Sequence, residues 1–421
     1  MPHARIKTPL FQPLRHSRFR DLCLANFISN IGAWMRIFAT GWLLAKQSQD
    51  PSAAVLAQTA NQAPIFLFAL FGGVFADRMD QDRYLMLVNL QMLVAAALLA
   101  VAALGDAPSA TVIISLTFAL GAGAAFKVSA WQASMSSLVQ PDEIEAAATL
   151  NGLSYNLASI IGPILGGWLF SLTGPAALYL ANALSFVGLI VLHWRVLGGD
   201  KSSVPSTGAS QGSFLDSLVD GVRHSFASPV FRRILGQTLC LFFAISIFQS
   251  LLPIYVKNML VGSEAALGWL MAAFGAGAVS SAFALPQLRY LLKRAHLLGL
   301  ATAVYGAMLL YFGWAPWLYS LLPAAFVAGF SWTGMVSTMN SGAQAVFPPA
   351  MRARALAVYS LVFSGALTVG GLAWGWIATI FGIGFAFKAA GMAMLAISAY
   401  GWLRQPAAKE GLQSATAEAD N

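Results

Sequence analysis

The chain has 421 residues, 58% of them hydrophobic and only 10% charged, with a mean hydropathy of +0.69. Soluble domains carry about 25% charged residues, so an ordinary water-soluble fold is excluded and a multi-pass membrane protein is expected. The two cysteines, Cys23 and Cys240, fall in apolar runs and the five histidines are scattered, which excludes a disulfide framework and a metal site.

Residues 1–21 carry Arg5, Lys7, Arg15, Arg18 and Arg20 and run straight into the first apolar span. No cleavable leader is expected; the first helix itself directs insertion. Hydropathy predicts twelve membrane helices. Six lie at 22–44, 53–76, 85–104, 109–137, 146–171 and 176–197, and six more at 234–256, 265–287, 297–314, 316–338, 355–381 and 383–403. The expected fold is therefore all-α, with an N-terminal six-helix lobe (22–197) and a C-terminal one (234–404). Between them, residues 198–233 read as a Ser/Gly-rich linker followed by an amphipathic surface helix at 214–226. Residues 405–421 form a polar tail.

Of the 24 Lys and Arg residues, Arg36, Lys127 and Lys388 lie inside spans and Lys46 and Lys257 on one set of connections. All the others lie on the opposite set, with both termini. The positive-inside rule then places both chain ends in the cytoplasm. The net charge of +8 is a topology signal, and nucleic acid is excluded as a partner.

A shift of 208 residues superposes Pro141 on Pro349, Gly162 on Gly370, Gly167 on Gly375 and Gly174 on Gly382. Such a repeat is expected of a carrier built from two lobes with its substrate site between them near mid-membrane.

The polar hinge after the second span, Gly72-Gly73-Val74-Phe75-Ala76-Asp77-Arg78 with Asp80 and Arg83 behind it, resembles the helix 2–3 loop signature of the major facilitator superfamily. It is most similar to the bacterial transmembrane secretion effector branch, which includes the enterobactin exporter and macrolide efflux pumps. Gly32-Ala33-Trp34-Met35, Ser129-Ala130-Trp131-Gln132-Ala133 and Leu150-Asn151-Gly152 resemble that branch too. Gln81 and Asp82 stand where it usually carries arginines, and Lys127-Val128-Ser129 replaces a more usual neutral stretch. The resemblance implies that Gly73, Asp77, Arg78 and Arg83 form a conformational gate. It also implies that Gly162, Pro163, Gly166 and Gly167 are the export-type motif of helix 5. Physically, that run is a proline kink plus bare backbone that lets spans 5 and 8 approach, with Gly275-Ala276-Gly277 as the packing partner.

Charges inside spans cost roughly 2.5 kcal/mol or more and normally face water or a partner. No acid lies deep within any span, so Arg36 and Lys127 have no internal ion pair and are expected to face an aqueous cavity. Lys388 lies near a span end and is expected to snorkel. Lys127 and Trp131 are four apart, so a cation–π surface is expected there. Asn30 shares a helix face with Asn26; Asn156, Gln249 and Trp332 complete the cavity candidates.

The reading is a secondary transporter without catalytic residues, cofactor or metal, exporting a small amphipathic or anionic compound, such as a siderophore or drug, by alternating access. It is expected to work as a monomer in the bacterial inner membrane. Proton antiport is its expected coupling, carried by Asp77, the cargo itself or Lys127 because no cavity carboxylate is visible. The alternative is an importer or facilitator of the same fold. A lipid translocase or membrane enzyme would want paired catalytic groups that the spans lack.

Overall fold

The computed structural model describes the backbone of residues 9–47, 50–105, 108–197, 228–260, 262–314, 317–346 and 349–403. It describes their side chains except at 52–54, 69–78, 129, 133, 345, 349–355, 357 and 403. The first lobe comprises α1 (Ser17–Gln47), α2 (Pro51–Arg78), α3 (Gln81–Ala102), α4 (Ala110–Ser137), α5 (Ile144–Thr173) and α6 (Pro175–Leu197). The second comprises α7 (Pro229–Met259), α8 (Glu264–Leu291), α9 (Arg294–Trp314), α10 (Leu318–Ala345), α11 (Pro349–Phe381) and α12 (Ile383–Leu403). Among the described residues, eleven helices are long and apolar enough to cross a membrane. The exception, α2, is 28 residues long and carries the polar run Gln58, Thr59, Asn61 and Gln62. The expected linker helix at 214–226 and the tail lie outside the described residues.

Several helices outrun their apolar spans, because backbone hydrogen bonding continues where hydropathy falls. The predicted end of the tenth span at 338 is the largest case; α10 runs on to Ala345. The helix serves basic side chains across that boundary: Arg289 Nη2 donates to Ser337 Oγ at 2.8 Å and reaches Ser341 Oγ at 3.4 Å, and Arg294 Nη2 donates to the Thr338 carbonyl at 2.6 Å.

The lobes pack alike. In the first, α1 lies against α5 and α6, α2 against α4, and α3 against α4 and α6; in the second, α7 lies against α11 and α12, α8 against α10, and α9 against α10 and α12. The lobes meet through α5 on α8 and α2 on α11, again an equivalent pair. The 208-residue repeat is visible in the backbone. Gly174 (φ 74°) and Gly382 (φ 87°) are the positive-φ glycines of the described chain, and each N–H closes its helix onto the carbonyl four residues back, Phe170 and Ala378, at 2.9 Å. Positive φ is reached at little cost only by glycine, which has no Cβ to clash, so both turns favour it.

The helix 5 motif does what bare backbone permits. Pro163 leaves the Ser159 carbonyl without its helical N–H donor. A Cβ at Gly275 of α8 would sit 3.0 Å from that oxygen, and one at Gly268 would sit 2.9 Å from the Pro163 carbonyl. Gly167 faces the Glu264 carbonyl, and its repeat mate Gly375 faces Val55 of α2. Gly162 faces α1, Gly370 faces α7 in the same way, and Gly166 lies against Phe38 of α1. Gly277 does not join Gly275 on α5: it abuts the Phe326 carbonyl of α10, while Gly329 of α10 abuts the Phe274 carbonyl of α8. That reciprocal crossing leaves no room for a methyl group. Gly329→Ala or Gly277→Ala is expected to cost about 1–3 kcal/mol by overpacking. Thermal melts in detergent should fall by several degrees for either, whereas Gly236→Ala, which opens on free space, should not fall.

A candidate substrate path between the lobes

The described contacts between the lobes cluster in the half of the bundle away from the chain ends. There Lys46 at the end of α1 pairs with Glu264 at the start of α8, and its ammonium lies 5.8 Å from the Trp42 ring and 5.6 Å from the Phe170 ring. Lys257 of α7 donates to the Ala45 carbonyl at 2.7 Å, capping the last turn of α1 from the other lobe. Thr379 Oγ1 donates to Asp50 at 2.8 Å, and Gln58 Nε2 donates to Gln249 Oε1 at 3.1 Å. Val55 against Gly371 and Gly375, and Phe66 against Gly365, continue the seam to the middle of α2 and α11.

At the termini face, the described polar contacts stay within each lobe. Arg18 grips Asp82 with both carboxylate oxygens (2.8 and 2.6 Å), and the fully buried His193 ring nitrogen Nδ1 meets the same carboxylate at 2.8 Å. Asp82 thus ties α1, α3 and α6 at the position where the family resemblance leads one to expect arginine. Gln81 Nε2 donates to the Ala130 carbonyl of α4 at 3.0 Å. His16 meets Glu143 at 2.7 Å. Burial works to raise the Glu143 carboxyl, but the Gln140 N–H and the His16 ring outweigh it and hold it below the usual carboxylate range. Of the expected gate, the side chains of Gly73, Asp77 and Arg78 lie outside the described residues. Arg83 is exposed, and its N–H is capped by Asp80 at 2.9 Å.

The expected cation–π pair forms. Lys127 Nζ lies 5.1 Å from the Trp131 ring centroid and donates to Asn26 Oδ1 of α1 at 3.0 Å. Trp131 Nε1 donates to Asn151 Oδ1 of α5 at 3.1 Å, and the Asn26 amide reaches the same oxygen at 3.5 Å. Three helices therefore share one polar knot, in which a half-buried ammonium keeps further donor positions beyond the one given to Asn26. Its partners are neutral amides, which orient the charge without cancelling it. Asn151 appears in the sequence only as part of a family-like stretch; its polarity within an apolar helix was the available signal.

The second lobe holds an aromatic cluster. Trp332 lies 5.6 Å from Phe242 and 6.3 Å from Phe274; Phe363 lies 4.5 Å from Phe242 and stacks at 6.3 Å on Tyr359. By the 208-residue shift, Tyr359 occupies the place of Asn151, while the Phe242–Phe363 pair repeats Trp34–Tyr155, whose rings lie 5.9 Å apart in the first lobe. Asn30 and Asn156 are half-buried, and Gln249 is the partner of Gln58 in the seam. The Lys388 stem lies against Gly313, and its ammonium is 4.5 Å from the Trp314 ring.

Arg36 corrects the expectation of an open cavity around both cations. It is only 5% exposed, with Nη2 donating to Asn61 Oδ1 of α2 at 2.9 Å. The register of α1 turns it toward α2 and α6, ten residues and about 15 Å of helix from Asn26. Glu264, bound to Lys46 at the end of α1, is similarly remote. At an effective dielectric of 20, its pull at 15 Å is about 1 kcal/mol, against several kcal/mol for desolvating an ion.

A family model for transmembrane secretion effectors matches residues 8–418. Among curated relatives, the enterobactin exporter EntS of Escherichia coli O1:K1 is 27% identical over 328 residues, 77% of this chain and 76% of its own. The enterobactin exporter EntS of Shigella boydii serotype 18 is 28% identical over the same length and shares. Similar solved structures include the nucleoside transporter NupG, with a TM-score of 0.74 at 10% identity, over 93% of this chain and 99% of that one. A POT family transporter in complex with 5-aminolevulinic acid gives 0.74 at 16%, over 92% and 96%. At these identities the structural likeness is one of fold.

The Lys46–Glu264 pair is partly solvent-exposed, so its worth is set at about 0.2–1 kcal/mol. Lys46→Glu is expected to shift the lobes toward opening at this face by up to about fivefold, measured as faster labelling of a cysteine placed at Thr379. Adding Glu264→Lys should reverse the shift.

Proposed function

Because the chain belongs to the transmembrane secretion effector family of major facilitator transporters, and not to a family of enzymes, we propose that it exports a small amphipathic anion by alternating access. The observation that carries this reading is a charge held beside an aromatic face by neutral amides. The Lys127–Trp131–Asn26–Asn151 knot offers an uncancelled positive charge beside an aromatic face. The second lobe offers the half-buried Trp332 and Phe363, backed by the core residue Phe242, for the apolar body. The relatives' cargo, enterobactin, is the first compound to test.

We place the termini in the cytoplasm of a bacterium and the bundle in its inner membrane, as a monomer. Arg18, Arg83, Arg289 and Arg294 on the termini face support that sidedness. A bundle sealed at the far face is then in its loading state, and the Asp77–Arg78 hinge is the element that closes on the cytoplasmic side in the next step. A proton antiporter of this composition must carry its proton on Lys127, Asp77 or the cargo. A transport rate indifferent to an imposed pH gradient in proteoliposomes would remove that coupling.

Lys127→Met is expected to raise the KM for an anionic aromatic fluorophore at least tenfold, about 1.4 kcal/mol, and to leave that for its uncharged ester unchanged. Equal effects on both compounds would remove the anion reading while leaving a transporter. Direction is checked by loading the probe inside or outside vesicles of known orientation.

A further inference from the structure

Arg36 sits in the middle of α1, and its Nη1 is buried without a hydrogen-bond partner among the described residues. A guanidinium does not lose its proton inside a protein, so this charge cannot be relieved as a lysine's can. Its neighbours are neutral. Asn61 takes the bond from Nη2, and the Tyr179 hydroxyl, hydrogen-bonded to Thr40 Oγ1 at 3.2 Å, lies within electrostatic reach.

No counter-ion appears among the described residues. Each described Asp and Glu lies outside the helices or within five residues of a helix end. Asp77, at the far end of α2, is sixteen residues from Asn61, roughly 24 Å along the helix. A buried charge left uncompensated is disfavoured far more than a paired one.

We propose that Arg36 holds a small anion, supplied either as a free halide or as the anionic head of the cargo. Nη1 of Arg36 is the donor left open, with Asn61 on the same guanidinium and the Tyr179–Thr40 hydroxyl pair nearby. The site adjoins the lobe seam, because Asn61 lies one helical turn from Gln58, which bonds Gln249 across it. It is separate from the Lys127 knot and does not depend on that knot binding cargo.

The test is thermal melting of the purified full-length protein in sodium gluconate, in sodium chloride, and in gluconate with added benzoate, all at one ionic strength. Chloride is expected to raise the melting temperature saturably. Asn61→Asp places a carboxylate where Oδ1 now accepts from the guanidinium; it should raise the melting temperature in gluconate and abolish the chloride shift. Lys127→Met should keep the shift, whatever it does to transport. A response to benzoate but not chloride assigns the site to the cargo's anionic head; a response to both assigns it to small anions generally. Identical melts in all three salts, or a full chloride shift in Asn61→Asp, would overturn the proposal.

Discussion

Positive charge in the middle of a helix bundle, with no carboxylate to answer it, sets the terms for the rest of this molecule. Acids are confined to helix ends, where they tie elements together: Asp82 joins α1, α3 and α6, Glu143 pins the segment before α1, and Glu264 links the two lobes. In mid-helix only neutral amides and rings are left to hold cations. Lys127 is oriented by Asn26 and lies over Trp131, and Arg36 is held by Asn61. Amides hold a charge in place without neutralising it, so both cations keep their positive field.

The second governing feature is the close approach of backbones at the lobe seam. Glycine and proline on α5 and α8, and glycine on α11 against α2, bring carbonyls and Cα atoms together where side chains would keep helices apart. A seam of that kind is dispersive and weakly polar, topped at one face by Lys46–Glu264 and Lys257–Ala45. Such modest contacts suit a carrier, since a lock worth more than a few kcal/mol would trap one state. Because the two lobes repeat each other, the α5–α8 and α2–α11 contacts are equivalent and can loosen together.

The repeat is strict in backbone and loose in chemistry. Gly174 and Gly382 adopt the same left-handed turn, while Asn151 and Tyr359, one repeat apart, serve a polar knot and an aromatic stack.

Twelve helices, the two-lobe plan and the glycine-rich fifth helix were legible in the sequence, because hydropathy, repeat spacing and missing side chains act locally along the chain. The Lys127–Trp131 pair was legible for the same reason, as both residues ride one helix four positions apart. The tertiary structure alone decided that Arg36 turns inward to Asn61, that Asn151 joins Lys127's knot, that Gly277 serves α10 and not α5, and that Lys46 meets Glu264. Each of these depends on how a helix is rotated about its axis and which neighbour it meets. That setting is fixed by packing across the bundle, to which a linear pattern of polarity is blind.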